Sequence, residues 1–253
     1  MHIPLVERAA RFSWPAIEEQ VMSYGVLRFA HGFTRRANSL TLYGSLPPDH
    51  AELVADCEIF FYSRSQPVSV RVPCLPGMSR LDSFLETNGY AVESPSRVMV
   101  RPLTGSRIVS PILRLSDKEA WLDIYYRISG QPTDQKAYHQ KLIDRIGSET
   151  FFAVLYKESG APACCALAIH YQGAIGIHNV ATAPSCRRQH YASSLLESVL
   201  AWGADTGADY AYLQVEEANL PAVSLYEKLN FSTLYHYLYR VKEVSKHYER
   251  RDL

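Results

Sequence analysis

The run Val180-Ala181-Thr182-Ala183-Pro184-Ser185-Cys186-Arg187-Arg188-Gln189-His190-Tyr191-Ala192-Ser193 leaves an apolar strand at a proline, crosses a short basic loop and enters a helix at once. From Ala192 the apolar or small residues fall at Leu195, Leu196, Val199, Leu200 and Gly203, the stripe of a helix packed on a sheet. Such a helix start offers unpaired backbone N–H groups and the positive end of a dipole. With Arg187 and Arg188 beside it, the place suits a pyrophosphate. A second run, Asn219-Leu220-Pro221-Ala222-Val223-Ser224-Leu225-Tyr226-Glu227-Lys228-Leu229-Asn230-Phe231, reads as a helix capped by Asn219 and ending at Asn230. Ahead of it, Glu216 and Glu217 close a strand. A third polar concentration lies earlier, at Phe33-Thr34-Arg35-Arg36-Ala37-Asn38-Ser39, with Arg28 on a neighbouring strand. Arg35, Arg36 and Asn38 are candidates to bind a substrate carboxylate or phosphate, with a solvated hairpin loop as the alternative.

The periodicities supply a scaffold for these residues. A helix is expected from Pro15 to about Ser23, since Ile17, Val21 and Met22 fall at i, i+4 and i+5. Strands Val26–Phe29 and Ser39–Tyr43 flank a turn near His31-Gly32. Pro47-Pro48-Asp49 opens a helix to about Tyr62, Val68–Val72 alternates as a strand, and a helix over Leu81–Thr87 closes at Asn88-Gly89. A strand over Ser96–Pro102 then runs into the small polar break Leu103-Thr104-Gly105-Ser106. That break divides the chain into a smaller α/β domain, 1–104, and a second domain, 105–253. In the second, Ile112–Leu115 is a strand, Ser116-Asp117 cap a helix, and another helix covers Gln135–Ile146. Strands follow at Phe151–Tyr156, Ala163–His170 and Ala174–Ala181, then the long helix, a strand Tyr210–Val215, the helix from Pro221 and a strand Leu234–Val241. Two stretches share a layout of helix, asparagine, aromatic turn and strand: Leu81 to Asn88-Gly89-Tyr90, and Leu225 to Asn230-Phe231. A decayed duplication and the ordinary way helices end both account for it.

The two chemical runs resemble the signatures of the GNAT superfamily of N-acyltransferases. Its loop reads Arg/Gln-x-x-Gly-x-Gly/Ala between a strand and a helix; Arg187, Ala192 and Leu195-Leu196 match, and His190 stands at a glycine position. Its later motif, Asn-x-x-Ala-x-x-Leu-Tyr-x-x-x-Gly-Phe, is matched by Asn219, Ala222, Leu225, Tyr226 and Phe231, with Asn230 for the glycine. The resemblance covers about Ile108 to Arg240. It implies an α/β (α+β) fold with a mixed, mostly antiparallel sheet flanked by helices, and acetyl-CoA as donor to an amine acceptor on a small molecule. It implies coenzyme contacts from Val180, Ala181, Arg187, Arg188, Gln189, His190, Tyr191, Ala192, Ser193, Asn219 and Tyr226. Backbone N–H groups of the strand 175–180 would polarise the thioester carbonyl. Tyr226 would protonate the departing thiolate, its phenol pKa of roughly 10 suiting a thiol product; Glu216, Glu217 or His178 would serve as base. The N-terminal third looks like the coenzyme-free half of two-part members. With glycine replaced at two places, a non-catalytic acyl-CoA-binding regulatory module is the rival reading.

Composition narrows the field from the other side. Among 253 residues, Lys+Arg and Asp+Glu are both 26, which argues against a nucleic-acid binder working by bulk charge. Apolar residues at 47% allow a core that needs neither disulfide nor metal. Cys57, Cys74, Cys164, Cys165 and Cys186 show no zinc or redox spacing and fit free thiols in a reducing compartment. No signal peptide and no membrane span are expected, so the cytoplasm is the default place and a metal is not required. A homodimer is left open.

Overall fold

The computed structural model describes residues 2–103, 114–115 and 117–243. The expected break at Thr104-Gly105-Ser106, the strand residues Ile112 and Leu113, and the capping Ser116 lie outside the described residues. In chain order come helix α1 (Ile3–Ser13), strands β1 (Glu18–Met22), β2 (Gly25–Phe29) and β3 (Leu40–Leu42), helix α2 (His50–Tyr62), strand β4 (Val68–Pro73), helix α3 (Ser79–Thr87) and strand β5 (Ala91–Pro102). Next are β6 (Arg114–Leu115), helices α4 (Lys118–Ser129) and α5 (Lys136–Asp144), and strands β7 (Glu149–Tyr156), β8 (Pro162–Tyr171) and β9 (Ala174–Thr182). Helix α6 (Tyr191–Asp205), strand β10 (Tyr210–Glu216), helix α7 (Leu220–Lys228) and strand β11 (Ser232–Lys242) follow.

These elements form two compact units, each discontinuous in sequence. Among the described residues, the first holds 2–15, 98–103, 114–115, 117–215 and Asn219–Leu234; the second holds Ala16–Arg97, Glu216–Ala218 and 235–243. This division differs from a single cut after residue 104, because α1 packs with the first unit while most of β11 belongs to the second.

In the first unit the strands lie in the order β5-β10-β9-β8-β7-β6. The pairs β6–β7, β7–β8 and β8–β9 are antiparallel, and β10 lies parallel to β9. The sheet is therefore mixed and mostly antiparallel, with helices on its faces. One face carries α6, whose buried Leu195, Leu196, Val199 and Leu200 meet Ile175 and Ile177 of β9. A Cβ added at Gly203 would stand 2.6 Å from Ile175, so only glycine lets helix and strand approach this closely. Because side chains alternate along a strand, Gly176 and His178 point to the other face. There α1 and α4 pack against β8 and β9. Asp117 starts α4 by accepting the N–H of Ala120 at 2.8 Å.

In the second unit the order is β1-β2-β3-β4-β11. Only β3 and β4 pair in parallel; the other pairs are antiparallel. Helices α2 and α3 close a core that includes Leu27, Leu40, Leu53, Phe61, Val70 and Leu85. The helix expected over Pro15–Ser23 is not formed. Residues 18–22 pair with β2 from Glu18↔Phe29 to Met22↔Gly25, and Glu18 to Val21 are exposed, so no apolar face exists for a helix to bury.

Candidate active site

The geometry of interest starts where β9 and β10 part. Their parallel pairing runs from Tyr210↔Ala174 to Leu213↔Ile177 and stops, although β9 continues to Thr182 and β10 to Glu216. On its other edge β9 carries an irregularity. Leu167 faces His178, but Cys165 faces Ala181, so β9 holds one more residue than β8 over this stretch. Asn179 takes up the excess with a φ of +51°. This is a β-bulge, which leaves one residue of β9 outside the ladder and twists the strand there. Val180 and Ala181 follow it, half-buried.

After Thr182 the chain makes the turn Pro184–Cys186 and reaches α6. Cys186 is buried and anchors the turn, whereas Arg187, Arg188, Gln189 and His190 are exposed. The Gln189 amide donates to the Ser185 carbonyl at 2.9 Å and braces the loop. Arg188 and His190 have φ of +59° and +63°. His190 thus adopts the left-handed conformation that a glycine would supply there, and histidine is one of the residues that tolerates it. The N–H of Ser194 makes the first bond of α6, to the His190 carbonyl at 3.0 Å. The N–H groups before it, through Tyr191, Ala192 and Ser193, are the open donors of a helix start. A buried thiol fixes this end: Cys164 on β8 donates its S–H to the Tyr191 carbonyl at 3.3 Å. Burial, then the neighbouring Cys186, pushes the Cys164 thiol up to about 12, so it stays a protonated donor.

The second motif builds α7. Asn219 caps it, its side-chain oxygen accepting the Ala222 N–H at 3.3 Å. Tyr226 lies in the same core cluster as Val223 and Leu229, with its ring edge-on to Phe231 at 6.1 Å. The helix ends on Asn230 at φ +60°, and the Phe231 N–H reaches back to the Tyr226 carbonyl at 3.0 Å. That is the Schellman closure in which glycine is usual. Both substituted glycine positions therefore keep the glycine backbone path.

The candidate bases fall in different settings. His178 is 3% exposed, its ring stacked on Trp14 at 5.1 Å and edge-on to Tyr212 at 6.3 Å. Glu216 is exposed at the end of β10 and belongs by its contacts to the second unit. Glu217 pairs with His236.

Arg35, Arg36 and Asn38 lie together in the loop between β2 and β3, where the Asn38 side chain is committed to the loop itself. The Asn38 oxygen accepts the N–H groups of Ala30 and Gly32 at 2.7 and 3.0 Å, and its amide nitrogen donates to the carbonyls of Phe33 and Thr34 at 2.8 Å each. Every donor and acceptor site of that side chain is used within its own loop. Arg35 is paired with Glu93, and the Arg36 carbonyl accepts from Arg28 at 2.7 Å. These residues hold the loop together.

Three features escaped the sequence reading: the bulge at Asn179, Trp14 against His178, and the closeness of Gly176 to Tyr212. An asparagine and a glycine inside the apolar run Ala174-Ile175-Gly176-Ile177-His178-Asn179-Val180 were the available signals for a bulge and a close approach. Among the described residues no group of three or more His, Cys, Asp or Glu is placed to hold a metal, and no helix is long and apolar enough to cross a membrane. The site offers the open N–H groups of a helix start and two exposed arginines after a strand fork, with a bulged strand beside it. Those parts suit the transfer of an acyl group from a phosphate-bearing carrier.

Comparison with known proteins agrees. The family described as probable histone acetyltransferase Rv0428c C-terminal matches residues 2–240. An uncharacterized N-acetyltransferase of Bacillus subtilis (strain 168), YobR, is 26% identical over 245 residues, covering 94% of this chain and 97% of that protein. A GCN5-related N-acetyltransferase from Kribbella flavida superposes with a TM-score of 0.68 at 15% identity, covering 98% of each chain. One from Sphaerobacter thermophilus gives 0.64 at 19% identity, over 81% of this chain and 73% of that one. At these identities the two structures speak for the fold.

Proposed function

The chain belongs to the Rv0428c C-terminal acetyltransferase family, of the GNAT type, and we propose that it moves an acetyl group from acetyl-CoA to a primary amine on a small molecule. The observation that carries this reading is the start of α6, where open N–H groups and two exposed arginines lie on a loop that keeps its left-handed turns without glycine. Arg187, Arg188 and the N–H groups of 188–193 hold the pyrophosphate, with the side chains of Gln189 and His190 beside it. The N–H groups beside the Asn179 bulge, next to Val180 and Ala181, polarise the thioester carbonyl as charge builds on its oxygen. The amine nitrogen bonds to the carbonyl carbon and the carbon–sulfur bond breaks. Tyr226 gives its proton to the sulfur, and a base takes one from the nitrogen. Asn219 sets the start of α7 and thereby the height of Tyr226.

Thiol release in the presence of acetyl-CoA and a panel of small amines tests the proposal. Calorimetric binding of acetyl-CoA without thiol release from any amine would replace it with a non-catalytic acyl-CoA-binding module. Tyr226→Phe removes one hydroxyl and little packing. Turnover should fall roughly 10²–10⁴-fold in both kcat and kcat/KM, with coenzyme affinity near normal. Affinity that drops while turnover survives would make the hydroxyl a coenzyme contact instead.

A further inference from the structure

We propose that His178 takes the proton from the acceptor amine on the sheet face away from α6, and that Tyr212, Gly176 and Trp14 are the residues that position its imidazole. The proposal rests on the acyltransferase reading and names the base left open there.

Gly176 and Tyr212 are partners in the parallel ladder of β9 and β10, one rung before the pairing ends at Ile177↔Leu213. A Cβ added at Gly176 would stand 2.5 Å from the Tyr212 hydroxyl and 2.8 Å from His178 Nε2. Two proton-bearing side chains therefore converge on one point, the place where Gly176 has no side chain. That point lies at the fork where the strands separate. His178 is also the residue before the bulge at Asn179, so its backbone is locked to the donors assigned to the thioester.

The ring is gripped from two directions. The Trp14 indole stacks on it with 25° between planes, and Tyr212 meets it at 83°. Such contacts fix the plane and tilt of an imidazole, which is what a base needs before it can meet a proton in line. The opposite face of the sheet is filled by α6 and Ile175 and Ile177, and α6 carries the coenzyme loop at its start. Gly176, with no side chain, leaves the Nε2 edge of His178 toward the strand fork, and an acceptor that meets the carrier at that fork reaches the imidazole there rather than through α1 and α4, which cover the rest of this face. Titratable rings in contact around His178 include Tyr212 of β10 and, behind Trp14, His139 of α5, which packs on Tyr125 and Tyr126 of α4; on α1, which packs on the same strands, Glu7 and Arg11 are half-buried and Arg8 is exposed. The charged residues Glu119, Asp123 and Arg127 of α4 are exposed.

The step balances within the proposed reaction. As the nitrogen–carbon bond forms, one proton passes from nitrogen to His178, while Tyr226 supplies one to sulfur; solvent then carries a proton from the imidazole to the phenolate. A base must be unprotonated to act, so kcat/KM should fall as pH drops through the titration of His178. The experiment measures the pH profile of kcat/KM for wild type, Tyr212→Phe, Gly176→Ala and His178→Gln, with acetyl-CoA affinity alongside. It is paired with NMR titration of labelled histidine in wild type and Tyr212→Phe. His178→Gln should lose the acidic limb and roughly 10²–10⁴-fold in turnover. Tyr212→Phe keeps the ring and should shift the limb and the His178 titration together while acetyl-CoA binds normally.

A limb unmoved in Tyr212→Phe, with only thermal stability changed, would reduce the tyrosine to packing and overturn the positioning claim. A limb that survives in folded His178→Gln would overturn the base itself. If His178→Gln does not fold, the NMR titration decides. A His178 resonance whose midpoint matches the wild-type limb supports the proposal, and one that does not titrate with it refutes it. Wild type that binds acetyl-CoA yet releases no thiol overturns the acyltransferase reading and this role together, an outcome distinct from an active enzyme with an unaltered limb.

Discussion

Two segments of this chain carry an Arg-Arg pair in a loop after a strand, and they are used in opposite ways. Arg35-Arg36, with Asn38, sits in the loop between β2 and β3: Arg35 is paired with the half-exposed Glu93, the Arg36 carbonyl takes a bond from Arg28, and the Asn38 amide is spent on backbone groups of the same loop. Arg187-Arg188 sits in the loop before α6, exposed, and makes no ion pair among the described residues. The difference lies in what each loop leaves open. A buried polar group must find partners, so a cation-rich segment that folds into a core spends its donors internally. A binding loop is recognisable by donors that the fold orients and does not consume.

This contrast can be broken most forcefully at Arg28, 3% exposed and bonded to Glu19 at 3.0 Å and to the Arg36 carbonyl. Arg28→Ala strands a partly buried carboxylate and a carbonyl, and should cost about 2–4 kcal/mol in urea unfolding, toward the lower end because water reaches Glu19. Acetyl-CoA affinity measured below the transition should not change; a selective loss of affinity would make the first loop a ligand site after all. Next in size, Arg187→Ala should weaken acetyl-CoA by about 1.5–3 kcal/mol in calorimetry. Its stability should move by no more than about 0.5 kcal/mol, as for an exposed side chain without partners. An unaltered dissociation constant in a folded variant would remove the pyrophosphate from this loop. The smallest effect is expected at His190. Glycine relieves a left-handed backbone, so His190→Gly should raise stability by up to about 1 kcal/mol and leave affinity equal or better. A marked loss of affinity would show that the imidazole itself holds phosphate.

What could be read in advance follows the physics of each element. The stripe from Leu195 to Gly203 was legible because α6 buries one face and nothing else competes for it. The ends of α3 and α7 were legible because a left-handed cap leaves a local mark. Tyr90 bonds back to Leu85, and Phe231 to Tyr226, at the same 3.0 Å, past Gly89 in one case and Asn230 in the other. Helix α1 was missed although its residues carry the pattern: Val6, Ala9, Ala10 and Ser13 fall at i, i+3, i+4 and i+7 on the buried side, and Pro4 stands in the first turn. β1 has an exposed sequence and is defined by its hydrogen-bonded partner, which no local pattern records. At the site, the motif residues of the coenzyme loop were readable by type and spacing. The roles of Trp14, Gly176 and Tyr212 were not, because they arise from residues far apart in sequence meeting around one imidazole.

The discontinuity of the two units bears on how the chain is made. The first unit takes its helix α1 from the first residues and its α7 from near residue 220, so α1 must wait through some two hundred residues of synthesis before its unit can be completed. The second unit lacks β11 until residues beyond 235 emerge. Neither unit can close while the other is still unmade, which denies this protein the usual sequence of an N-terminal domain folding during translation and a C-terminal one after it. Its units close through long-range contacts and their loop-closure entropy is met late, so folding should be slow. A chain made only as far as β8 exposes one face of the apolar strand Ala163–Ile169, because α6, which covers that face, has not yet emerged.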